Sequence, residues 1–265
     1  MHIMNRLGIC FLLLMVLFMG CKNVSPNADN PDEDPKAKEL LQGIWVSDDG
    51  GTPAIWAKGD SIYYPDSASM PVRFWIYKDS LYLKGNNINS YKITKQAEHL
   101  FKFVNKNGEE VKLVKSNNKD LLPSFMYQVY AMNTFLTAQS DTIVKTTMGF
   151  FESKVNIATT SDRVVKSSYN DNGVEVDNTY LDNVAHLAIS NHGSLVYAHD
   201  FRKQEFAALI DKTLMAKSIL RKFEFTHCDD KALYYDAVIG VPDASTAYVV
   251  EVRITTDGKV TQRMR

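Results

Sequence analysis

Hydrophobic and polar positions divide the chain into stretches of different character. Leu7–Cys21 is apolar throughout apart from Gly8, and Arg6 is the only formal charge before it. Its 15 residues fall short of the roughly 20 that span a hydrocarbon core. The layout, closing on Gly20-Cys21, is that of a secretory leader over 1–20 cut before Cys21. From 21 to 35 the pattern turns polar, with Pro26, Pro31 and Pro35 among Asp29, Asp32, Glu33 and Asp34. Such a segment has little to bury and reads as an extended tether.

A different rhythm starts after one helical turn over Lys36–Gln42. Short β-rich runs, Ile44–Val46, Ala54–Ala57, Ser61–Tyr64, Val72–Tyr77, Leu81–Leu83, Tyr91–Thr94, Leu100–Val104 and Val111–Val114, alternate with Gly, Asn and Asp clusters. That predicts an antiparallel meander over 36–118. A join follows over 119–140, with a short helix over Phe125–Leu136. Strands return in 141–265, where Val164–Tyr169 meets Val174–Val176 across Asn170-Asp171-Asn172-Gly173, residues that tolerate positive φ. Phe206, Leu209, Ile210, Leu214, Ile219 and Leu220 recur at helical spacing. They predict one long helical region over Arg202–Arg221, with Asp200 as its N-cap. Its apolar stripe is expected to lie on the sheet formed by the last strands.

Composition narrows the partners. The net charge is −1, and loss of Arg6 with the leader makes it −2. No basic excess points to nucleic acid. Cys10 lies in the leader and Cys21 at the cut, so Cys228 alone remains in the body. An exported protein of this kind holds its fold by packing, without an internal disulfide.

Candidate chemistry is sparse. Trp45, Trp56, Phe74 and Trp75 either line an apolar ligand cavity in the first β module or simply fill its core. Asp177 and Asp182 are candidates for an acid–base pair in the glycosidase sense, although loop acids more often cap or face water. His227-Cys228 places an imidazole beside a thiol in sequence, but successive strand residues face opposite ways. Gly173 at position six of a calcium loop puts Ser168, Asn170 and Asn172 at positions one, three and five. Thr179 then stands where a bidentate Glu is needed, which favours a plain turn. His186, His199 and His227 have no metal-ligand spacing. Gly-x-Ser-x-Gly and phosphate-loop patterns are absent. No cofactor is expected, and the reading leans away from an enzyme.

Three resemblances add to this. The apolar run ending in Gly20-Cys21 resembles the lipobox of bacterial lipoproteins, which implies diacylglycerol on Cys21. Phe18 and Met19 depart from the smaller residues usual there. Gly43-Ile44-Trp45 opening a meander resembles small lipocalin-like envelope modules. The segments Gly173–Tyr180 (GVEVDNTY), His199–Phe206 (HDFRKQEF) and Ile239–Tyr248 (IGVPDASTAY) are similar to an uncharacterised domain-of-unknown-function family of gut Bacteroidetes lipoproteins. That likeness implies an envelope location, with the outer membrane first, and supplies no activity. The expected fold is α+β, mainly antiparallel β: a lipocalin-like meander or barrel, then an α+β module with its long helical region on a sheet. The expected role is a lipid-anchored, non-catalytic binding or assembly module with an envelope protein as partner. The alternative is a carrier of a small apolar ligand in the first module.

Overall fold

The computed structural model describes residues 33–49, 51–128, 131–133 and 136–265. The expected leader, Cys21 and the expected tether up to residue 32 lie outside the described residues. The first element, α1 (Pro35–Leu41), starts where the Asp34 carboxylate accepts from the Lys36 and Ala37 N–H groups, with Pro35 in the first turn. Both features suit a helix start, because the first N–H groups lack intrahelical partners.

Eight strands follow: β1 (Gly43–Ser47), β2 (Pro53–Lys58), β3 (Ser61–Tyr63), β4 (Val72–Tyr77), β5 (Ser80–Lys84), β6 (Ile88–Ala97), β7 (Leu100–Val104) and β8 (Glu110–Ser116). Each pairs antiparallel with the next, and β8 closes on β1 into a barrel. Closure removes the free edges that an open meander would expose. Alternate residues point inward, so Val72, Phe74 and Ile76 of β4 join Trp45, Leu83, Phe101 and Leu113 in one core. Leu41 of α1 enters that core at one mouth. A 3-10 segment, Lys119–Phe125, packs Phe125 against Ile44, Val46 and Trp56 on the barrel's outside.

The remaining strands form two four-stranded antiparallel sheets. One runs β12-β11-β10-β9, from β9 (Thr137–Thr146), β10 (Gly149–Tyr169), β11 (Glu175–Asn191) and β12 (Ser194–Arg202). The other runs in order from β13 (Ile219–Cys228) through β14 (Ala232–Gly240) and β15 (Ala247–Thr255) to β16 (Val260–Met264). Inner faces of both meet in a single core that includes Phe151, Leu187, Phe201, Phe223, Tyr235 and Val252. Aromatic rings carry it: Phe201 stacks on Phe223 with centroids 4.7 Å apart, and Phe223 on Tyr235 at 5.5 Å.

The α+β expectation is overturned. Strand makes up 60% of the structure and helix 11%. Arg202–Arg221 is not a long helix: Arg202 ends β12, a 3-10 turn spans Lys203–Phe206, α2 covers only Lys212–Lys217, and Ile219 begins β13. Asp200 sits inside β12, and Asp211 is the N-cap, accepting from the Thr213 and Leu214 N–H groups. Its extended backbone (ψ 133°) prevents a helix from running through. Phe206, Ile210 and Leu220 are still buried in the sandwich core, with Leu209 and Leu214 packed against it, because consecutive turns also place residues three or four apart on one side.

The β10–β11 hairpin joins the two parts. Asn170 makes its turn, with Oδ1 accepting from the Asn172 and Val174 N–H groups. Beyond the turn Val174 and Val176 enter the barrel core. One mouth of the barrel is therefore closed by α1 and the other by this hairpin.

Candidate functional site

The four rings proposed as cavity lining separate. Trp45 and Phe74 point inward and have no accessible surface. Trp56 packs outside against Tyr63 and Phe125, and Trp75 stacks on Tyr82 with ring planes 2° apart. Phe74 and Trp75 must diverge because neighbours on a strand face opposite sides. Zero accessible area at Trp45, Phe74, Ile76 and Phe101 leaves no space for even a water beside them. Their rings pack on each other instead, Trp45 to Phe101 at 5.9 Å between centroids.

Where the hairpin enters the barrel, backbone and carboxylate chemistry hold it. Tyr91 Oη accepts from the Glu175 N–H at 3.0 Å, and Asn87 Nδ2 donates to Glu175 Oε1 at 2.9 Å. The Lys106 N–H donates to the Gly173 carbonyl, and the Met70 N–H to the Asp177 carbonyl at 2.9 Å. The buried Asp177 carboxylate accepts from the Asn86 N–H and from Ser167 Oγ. Burial pushes the Tyr91 hydroxyl up to about 12, and it raises Tyr64 still further. An open cleft of about 310 Å³ beside this joint is lined by Met70, Val72, Gly85, Asn86, Val165 and Asp177.

Asp182 makes a second buried node. Its Oδ1 accepts from the Leu220 N–H at 2.8 Å and the Asn183 N–H at 2.9 Å. Lys203 Nζ stands 3.4 Å from Asp182 Oδ2 and donates to the Ser218 carbonyl. Asn183 Nδ2 donates to the Leu220 carbonyl, and Thr159 Oγ1 to Asn183 Oδ1. These bonds pin β11 to the start of β13. A cleft of about 440 Å³ nearby is lined by Met132, Asn133, Thr159, Asn183, Ile219 and Arg221.

Asp177 and Asp182 thus serve different joints. They lie five residues apart on β11, roughly 16 Å at strand rise, and face opposite sides. Glycosidase carboxylates stand about 5–9.5 Å apart, so this pair does not make that site.

The imidazoles are dispersed as well. His186 Nδ1 meets Asp200 Oδ1 at 2.6 Å, His199 Nε2 meets Glu205 Oε2 at 2.8 Å, and His227 stacks on Tyr234. Cys228 is half-buried against the sandwich core rather than against His227. Among the described residues no three His, Cys, Asp or Glu side chains converge as metal ligands. Ser168 and Asn170 flank the hairpin turn, while Thr179 lies within β11 and donates to Met70 Sδ.

What the surface does offer is apolar. Ile143, Met148, Phe150 and Leu195 are all more than half exposed. They share one end of the four-stranded sheet, where the β9–β10 and β11–β12 turns lie side by side: Asn191 Nδ2 donates to the Met148 carbonyl. Ile143 pairs with Glu152, Glu152 with Ser190, and Ser190 with Leu195, so one row crosses all four strands. Sequence reading missed this patch, because Ile143–Phe151 looks like one strand until the Thr147-Met148 turn divides it. Gly149, at φ 113°, was the available signal.

Comparison with known proteins returns no match among curated ones. A family described as a domain of unknown function, DUF4738, matches residues 117–262. That range takes in the first sheet and all but the end of β16 in the second, and excludes the barrel. All three segments of the earlier resemblance fall within it. The match covers more than half of the 265 residues, and the chain belongs to the DUF4738 family of domains of unknown function.

Proposed function

We propose that this chain is a lipid-anchored protein of the bacterial cell envelope that works as a non-catalytic binding or assembly module. The leader ending in Gly20-Cys21 supports an acylated Cys21. Several acyl chains give firm attachment, since each buried CH₂ adds roughly 0.8 kcal/mol. The tether then delivers the chain to α1 at the barrel's closed mouth. The likeness to lipoproteins of gut Bacteroidetes supports the outer membrane as its location.

One observation carries the binding role: among the described residues the barrel rings pack on each other, while a group of large apolar side chains stands exposed on one sheet. The barrel interior is filled and stoppered at both ends, whereas Ile143, Met148, Phe150 and Leu195 form an exposed group on one sheet. Exposed apolar groups of this kind mark protein–protein contact sites. A carrier role would require the β10–β11 hairpin to leave the barrel, breaking the Glu175 and Asp177 hydrogen bonds.

The test is detergent phase partition and mass analysis of the full chain against Cys21→Ser. Wild type is expected in the detergent phase with its leader removed and a lipid mass added. Cys21→Ser is expected uncut and without that mass. An unmodified Cys21 in the wild-type chain would overturn the anchor. Envelope cross-linking with Met148→Glu/Leu195→Glu then tests the surface, and an unchanged cross-link pattern would overturn the binding role.

A further inference from the structure

We propose that β9 is the seam of a two-fold dimer, and that the partner it takes is a second copy of this chain. The inference gives the assembly half of the reading above a definite partner, and rests on it only to that extent.

β9 is the terminal strand of its sheet, and no described strand pairs with its outer side. Thr137–Asp141, Ile143 and Lys145 are all exposed. Ile143, at 73%, is the most exposed large hydrophobic among the described residues. The β9–β10 register runs without a bulge from Thr146↔Gly149 to Thr137↔Ala158. A two-residue turn makes its closing pair, Thr146 and Gly149, a hydrogen-bonded one, and such pairs alternate along an antiparallel ladder. The even residues of β9 therefore bond to β10. Gln139, Asp141, Ile143 and Lys145 turn their N–H and C=O groups to the open edge.

A copy added antiparallel must match those outward groups, and a closed pair must be self-complementary. A two-fold axis at Ile143 satisfies both. It sets Ile143 against Ile143 of the second copy and Asp141 against Lys145 twice, all on one face. Shifting the axis to residue 141 would oppose two aspartates, and shifting it to 145 two lysines. Within each copy Asp141 already pairs across the ladder with Lys154, and Lys145 with Phe150. Across the seam each carboxylate then lies between two ammonium groups. Opposite charges directly across a ladder stabilise it, and like charges destabilise it. The dimer would carry one continuous eight-stranded sheet.

Sedimentation of the detergent-solubilised full chain tests this with three variants. Wild type is expected to dimerise, and Asp141→Lys or Lys145→Asp alone to weaken the dimer at least tenfold. The double swap Asp141→Lys/Lys145→Asp is expected to return to within about threefold of wild type. Both side chains are exposed, and circular dichroism checks that each variant is folded. A wild-type monomer at 100 μM protein overturns the proposal. So does a dimer indifferent to the single swaps, as one held only by lipid chains in a shared micelle would be. A single-swap loss that the double swap does not restore overturns it too. None of these outcomes bears on Cys21, so this inference and the anchor fail separately.

Discussion

Gly85 tests whether the barrel and the two-sheet unit are joined as described. It begins the turn from β5 to β6, and its backbone is not in the left-handed region. Alanine there is conformationally acceptable, so any cost must come from collision. An added Cβ would fall well inside contact distance of Asp177 Oδ2 and 3.2 Å from Val72 Cγ1. The carboxylate has little freedom to yield. Its two oxygens are held by the Asn86 N–H and Ser167 Oγ, and Asp177 is only 4% exposed. Displacing it breaks at least the Asn86 bond. Hydrogen bonds to charged groups contribute about 1.5–3 kcal/mol, while Gly→Ala returns about 0.4–1 kcal/mol through the unfolded chain. Gly85→Ala should therefore destabilise by about 1.5 kcal/mol. In an Asp177→Ala background only the milder contact with Val72 Cγ1 is left, and the same change should cost less than about 0.5 kcal/mol. All three tryptophans, Trp45, Trp56 and Trp75, lie in the barrel, so urea titration followed by their fluorescence reports the affected part. Equal costs of Gly85→Ala in the two backgrounds would refute the joint.

Other expectations use the same structure. Burial raises the Tyr91 hydroxyl from about 10 to about 12. Its stabilising share is complete below pH 10 and is lost as pH rises towards 12, where only the unfolded state has fully shed the proton. Stability against urea should fall across that window, and less steeply in Tyr91→Phe; a flat wild-type profile would contradict it. Asp182→Ala removes the acceptor of the Leu220 and Asn183 N–H groups and leaves Lys203 buried without its carboxylate. Breaking such a buried pair costs about 3–5 kcal/mol, readable by calorimetry, and a loss below 1 kcal/mol would show that the node does not hold β11 to β13.

Individual strands were legible where turn chemistry bounded them. Each of the eight runs from Ile44–Val46 to Val111–Val114 lies within or overlaps a barrel strand, because Gly, Asn and Asp between them permit the backbone to reverse. The Asn170–Gly173 turn was legible for the same reason. The Arg202–Arg221 stripe misled because helical spacing records only which residues face a core. It does not distinguish one helix from a strand end, two short turns and a new strand. The length of β10 was hidden too: its irregular register between Thr159 and Arg163 divides one long strand into two apparent ones. Lys203, a lysine in a polar stretch, carries no sign of burial. Its pairing with Asp182 exists only once β13 crosses β11.

Local pattern by itself determined which residues are apolar and where the Gly, Asn and Asp clusters let the barrel strands reverse, since each depends on neighbours a few positions away. Tertiary structure decided what the apolar residues do. Closure of β8 on β1 and entry of Val174 and Val176 turned the rings at Trp45 and Phe74 into filling. The end of the sheet at β9 left Ile143 outside. Both outcomes depend on contacts between segments far apart in the chain, and the spacing of residues along a strand carries no record of which strand comes to lie beside it.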